Sequence, residues 1–149
     1  MTSAPHGEDS DRLLIVLSDD LLFPSRIRES LRALPYRLRI VAADSALPAA
    51  LADELPSGFI VNLTARRYDP AAVIESLKAQ PRTAALPILA FAGHVESEKH
   101  EAARRAGADL VAANSSVSLH LPALLNRLFA PDTPANSQND EREDAADAD

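Results

Sequence analysis

The sequence predicts an α/β fold, a doubly wound five-stranded parallel sheet with helices on both faces, and three observations carry that prediction. The apolar runs at 12–18, 58–63 and 87–93 are continuous rather than alternating, as in strands buried on both sides. Each strand candidate is followed by a segment with helical spacing or helix-start chemistry. The connections are short, so strand and helix alternate five times, the pattern of parallel strands joined by crossover helices. With 149 residues, 46% of them hydrophobic, the chain suffices for one such core, placed at 12–130 between tails at 1–11 and 131–149.

RLLIVLS (12–18) is the first strand, a central one, and it runs into Asp19 and Asp20. The helix at 24–34 has Pro24 suited to its first turn and Ile27, Leu31 and Leu34 at helical spacing. RLRIVA (37–42) alternates charged and apolar residues, as an edge strand does. A short helix over 45–55 is started or interrupted by Pro48. GFIVNL (58–63) is the next buried strand, and the helix at 69–80 opens with Asp69 as N-cap and Pro70 at its first position. PILAFAG (87–93) is the fourth strand. The helix over 95–107 closes on Gly107, where a left-handed residue is wanted, and ADLVAA (108–113) is the fifth strand. The last helix, 117–129, has Pro122 in or near its first turn.

The formal net charge of −7 belongs to the tails. Residues 131–149 hold seven acids against Arg142, whereas 12–130 hold 12 acids and 14 bases, a net of +2. The last segment lacks Val, Ile, Leu and aromatic residues, so ordering it recovers too little to offset the lost chain entropy, and it reads as disordered. It serves solubility, or it covers basic patches on the body electrostatically.

The absence of cysteine excludes disulfides, thiolate chemistry and Cys-based zinc sites. No signal-peptide pattern or membrane-length apolar run occurs, so a soluble cytoplasmic protein is expected, without a membrane partner. No Gly-rich dinucleotide fingerprint or P-loop follows any strand, and His6, His94, His100 and His120 show no metal spacing, so no cofactor and no metal are expected. Arg26, Arg28, Arg32, Arg37 and Arg39 form a basic region on the first helix and second strand. With 4% aromatics and no DNA-reading motif, it is not expected to bind nucleic acid.

Taken together, the five βα units, the acidic pair after strand one, the proline opening strand four and AGAD (106–109) before strand five make residues 12–129 resemble a response-regulator receiver domain. The resemblance implies a flavodoxin-like strand order 2-1-3-4-5, with a pocket at the C-terminal ends of the central strands. It places Ser18, Asp19, Asp20, Asn62, Ala92 and Asn114 at that pocket. In receivers the third strand ends in an aspartate that becomes an acyl phosphate. Here that position is Asn62, whose amide has no anionic oxygen to act as nucleophile. Ala92 stands where receivers carry a hydroxyl, and Asn114, followed by Ser115, stands where they carry lysine, usually followed by proline.

By the same resemblance the acid pair matches the residues with which receivers hold magnesium, with either Ser18 and Asp19 or Asp19 and Asp20 at the metal positions; Asn62 in place of a third carboxylate implies weak or absent binding. Arg66 and Arg67, after strand three, are solvated loop charges, anion ligands, or a replacement for the missing cation through an ion pair with Asp19 or Asp20. The resemblance also implies an interaction surface on helix four, strand five and helix five, used for a protein partner or for homodimerisation. The expected function is a stand-alone pseudo-receiver, not an enzyme: a phosphorylation-independent protein-interaction module in bacterial signalling or regulation. The alternatives are a small-molecule sensor using the altered pocket, and a phosphoacceptor using Ser18, Thr64 or Asp19.

Overall fold

The computed structural model describes residues 11–130. Apart from Asp11, the tails read at 1–11 and 131–149 lie outside the described residues. Five strands, β1 (Arg12–Leu17), β2 (Tyr36–Val41), β3 (Gly58–Asn62), β4 (Ile88–Ala92) and β5 (Leu110–Ala113), form one parallel sheet of order β2-β1-β3-β4-β5. The helices are α1 (Leu22–Ser30), α2 (Leu47–Asp53, after a 3-10 turn at Asp44–Ala46), α3 (Pro70–Ala79), α4 (Ser97–Ala106) and α5 (Asn114–Phe129). Fold class and strand order are those expected.

Because side chains alternate across a strand, the sheet feeds two apolar layers. Ile15, Leu17, Phe59, Val61, Ile88 and Ala90 face one layer, closed by α2, α3 and α4. Leu14, Val16, Ile60, Leu89 and Phe91 face the other, closed by α1 and α5. β1, β3 and β4 are covered on both sides, which is why their sequences are continuously apolar. β2 lies at an edge, and of its residues only Val41 is buried.

Several boundaries differ from the sequence reading. α1 begins at Leu22, because Asp20 Oδ1 accepts the Leu22 N–H from outside the helix; Pro24 is then the third helical residue, still within the turn whose N–H groups need no helical partner. β5 starts at Leu110, one step after Asp109, which still reaches β4 twice: its backbone N–H donates to the Ile88 carbonyl at 2.9 Å, and its Oδ2 accepts the Ile88 N–H at 2.9 Å and the Lys78 ammonium at 2.8 Å. α5 starts at Asn114 and runs through a kink at His120 (φ −132°, ψ 27°). Pro122 therefore sits in the first turn of the segment after the kink, where its ring is tolerated.

Candidate functional site

The parallel register decides which residues meet at the C-terminal edge of the sheet. Leu17 is level with Val61, Asn62 with Phe91, and Ala92 with Ala113. Ser18 and Asn114, each one step past its strand, thus emerge at the same end as Asn62 and Ala92.

Asn62 is buried, with 2% of its surface exposed, and both ends of its amide are engaged. Nδ2 donates to Ser18 Oγ at 3.1 Å; Oδ1 accepts the Thr64 N–H at 3.0 Å and the Thr64 hydroxyl at 2.8 Å. A carboxylate has no hydrogen to give Ser18, so this bonding pattern is specific to an amide or another donor–acceptor group. Ser18 is equally buried, and its Oγ also exchanges two long bonds, both 3.4 Å, with the backbone of Asp20.

The acid pair divides its work between two connections. Asp19 Oδ2 accepts the backbone N–H groups of Arg66 at 2.8 Å and Arg67 at 3.0 Å, tying the end of β1 to the loop after β3. The Arg66 N–H, foremost, and the Arg67 N–H hold the Asp19 carboxyl below its ordinary range against the opposing effect of burial, and the Arg67 charge adds a small attraction. Asp20 is occupied at the start of α1.

Of the readings open for Arg66 and Arg67, the ion pair with Asp19 or Asp20 is not the arrangement found. Their peptide groups, not their guanidinium groups, meet Asp19. Both side chains are exposed, and among the described residues neither forms an ion pair with Asp19 or Asp20. A loop that wraps its peptide donors around a carboxylate satisfies that charge without immobilising a long cationic side chain.

Tyr68, which the sequence reading passed over, completes the junction. Its hydroxyl lies 2.8 Å from the carbonyl oxygens of both Leu17 and Asn62, so one phenol bridges the ends of β1 and β3. Burial, and secondarily the Asp19 charge, push its ionisation well above the ordinary tyrosine range. The available signal was its position: Tyr68 precedes the Asp69 N-cap and shares a buried cluster with Val73, the two places of a hydrophobic staple.

Ala92 and Asn114 share the sheet end, but no hydrogen bond joins either to the Ser18–Asn62 pair among the described residues. Ala92 is fully buried, and its carbonyl oxygen lies 3.3 Å from His100 Nε2. Glu96 Oε2 accepts the Gly93 N–H at 3.3 Å, beside Asn114: a Cβ on Gly93 would stand 3.2 Å from that oxygen and 3.8 Å from Asn114 Nδ2. Glu96 and His100 are further residues at this sheet end that the sequence did not mark, since a glutamate just before a surface helix and a histidine within it carry no local signal.

The residues present do not fit a magnesium ion. Hard cations take converging oxygen ligands, yet Asp19 and Asp20 are turned to separate backbone donors, and the amide oxygen of Asn62 is committed to Thr64. Among the described residues no group of three or more His, Asp or Glu side chains converges. Nor is any described helix long and apolar enough to cross a membrane.

No protein-family profile matches the sequence, and no curated protein does. Solved structures do match. A protein described as a response regulator from Chloroflexus aurantiacus superposes with a TM-score of 0.75 at 21% identity, over 81% of this chain and 99% of that one. The chemotaxis response regulator CheY4 of Vibrio cholerae gives 0.71 at 14% identity, over 80% and 99%. The receiver domain of a sensor histidine kinase from Pseudomonas aeruginosa, solved with magnesium coordinated in its active-site cleft, gives 0.71 at 18% identity, over 81% and 99%. With the strand order and the paired helix layers already in hand, these superpositions identify the fold of the chain as that of response-regulator receiver domains.

Proposed function

We propose that this chain is a pseudo-receiver, a phosphorylation-independent protein-interaction module in bacterial signalling or regulation. The observation that carries the reading is Asn62. An amide stands where the fold's phosphoacceptor carboxylate would stand, and both its ends are held by Ser18 and Thr64. An amide cannot form an acyl phosphate. The candidate replacements are poorly placed: Ser18 is buried, and the Asp19 carboxylate is held by two peptide donors. Thr64 is exposed, but its hydroxyl donates to Asn62. The face built from α4, β5 and α5 would carry the protein partner, with Val95 79% and Leu119 73% exposed at or beside it.

The test is incubation of the full chain with acetyl phosphate and magnesium, followed by intact-mass measurement and titration of a partner. No phosphoryl adduct is expected, and partner affinity should be the same with and without the donor. An adduct on any residue, or a donor-dependent affinity, overturns the reading.

A further inference from the structure

At the opposite end of the sheet from Asn62 lies a depression of about 630 Å³ between α1 and the edge strand β2. Arg28, Arg32, Arg37 and Arg39 line it above a floor that includes Leu31 and Leu38. Three of these cations already have carboxylates: Arg32 pairs with Glu29 at 3.0 Å, Arg37 with Glu54 at 2.5 Å and Arg39 with Asp53 at 2.6 Å. Arg28 has no ion-pair partner among the described residues. Nor does Arg12, which is level with Tyr36 on the neighbouring strand and stands 4.2 Å from the centre of the Phe129 ring. The depression therefore keeps a positive surplus.

The chain itself arrives there. Phe129, the last residue of α5, stacks on Tyr36 with ring centres 6.4 Å apart, and Tyr36 lines the depression. From Ala130 the sequence continues with PDTPANSQN (131–139), nine residues with one acid, then DEREDAADAD (140–149), with six acids and one base. A nine-residue spacer reaches up to about 30 Å, whereas Tyr36 to Arg39 spans about 10 Å of strand. Reach and charge both match.

We propose that the acidic segment 140–149 folds back onto this arginine-lined depression of its own chain and covers it electrostatically. Its carboxylates meet Arg28 and Arg12 and compete for the exposed, already paired Arg32. The contact is graded by ionic strength, because exposed ion pairs are screened beyond a Debye length. A cover of this kind keeps other polyanions off the basic edge of the sheet until salt, or a more highly charged competitor, displaces it. The inference is independent of the chemistry at Asn62.

The chain has no cysteine, so Ala146→Cys gives a single attachment point for a nitroxide on the full-length, nitrogen-15-labelled protein. At low salt the amide signals of Arg28, Arg32 and Tyr36 to Arg39 should lose roughly half or more of their intensity, and recover at about 0.5 M salt. An Arg12→Glu, Arg28→Glu double variant with an otherwise unchanged spectrum should show no such loss. Loss centred on another surface, such as Arg104 and Arg105 of α4, or no localised loss, overturns the proposal. So does an equal loss when the spin label and the nitrogen-15 label are on different copies, which would make the occupant a second molecule. A single-stranded oligonucleotide that binds the native chain as tightly as a variant with residues 140–149 neutralised would show the depression to be open, and would equally overturn it.

Discussion

Asn62 is a polar group that the fold buries and fully satisfies, and its amide chemistry gives it a consequence for stability. Asn62→Asp replaces the Nδ2 donor by a carboxyl in a buried position, where desolvation is expected to outweigh the Thr64 donors and hold its ionisation above the ordinary range. A raised carboxyl loses stability as pH climbs, because the unfolded chain releases the proton first. The variant should therefore trail the parent by about 1–2 kcal/mol at about pH 7.5 and by clearly less at about pH 5, read from urea midpoints. Asp19 behaves in the opposite sense. Its folded value lies below the ordinary carboxylate value, so its contribution is fully present above that ordinary value and is lost as pH falls through the lowered one. Asp19→Asn should flatten this acid limb of the urea-midpoint profile; an unchanged slope would show that Asp19 does not shape it. That an amide at 62 and a methyl at Ala92 lie at the sheet end was legible in the sequence, because they are identities at the ends of recognisable strands. That Arg66 and Arg67 would act through their peptides was not legible, since it depends on the path of a loop whose backbone donors are the same for any residue but proline.

Strand centres were read correctly because burial on both faces leaves a continuous apolar run, whereas helix ends depended on groups outside the helix. Asp20 starts α1 early, and the kink at His120 lets α5 begin at Asn114, directly after β5. Neither is visible as a period in the sequence. The end of α4 was visible, because Gly107 takes φ +117°, a left-handed value that other residues reach with strain. The same glycine also admits a neighbour: a Cβ there would lie 2.9 Å from Lys78 Cγ. Lys78 is held in place by Asp109 at 2.8 Å and by the Leu86 carbonyl at 3.0 Å, so it yields only by disturbing the clamp that joins α3 to the start of β5. Gly107→Ala should cost about 1–2 kcal/mol in chemical denaturation, from left-handed strain and this contact together. A loss within about 0.5 kcal/mol would show that Lys78 moves aside freely.

Two apolar layers on one sheet leave the molecule with distinct ends and faces, and each carries a separate property. The C-terminal end of the sheet is tied by Asn62, Asp19 and Tyr68 into one bonded junction, which leaves no anionic acceptor at Asn62 for a phosphoryl group to build a new state around. On the proposed reading, an interaction surface needs no such switch and is competent as folded, so its energetics can be probed by single exposed side chains. Leu119 projects from the first segment of α5 with 73% of its surface exposed, and Leu21, before α1, is 88% exposed. Neither anchors a core layer, and surface substitutions away from caps and cores change stability by about 0.5 kcal/mol or less. Leu119→Asp should thus unfold at the same urea midpoint as the parent, and Leu21→Asp, which puts a favoured capping residue at the N-cap of α1, at a midpoint no lower than the parent's. They should part company in binding: a desolvated apolar anchor replaced by a carboxylate costs about 2 kcal/mol or more, roughly a thirty-fold weakening. If the α4, β5 and α5 face carries the partner, Leu119→Asp shows that loss in a direct titration and Leu21→Asp does not, with or without acetyl phosphate. Undiminished binding by Leu119→Asp, or weakening by Leu21→Asp alone, would remove α5 from the interface.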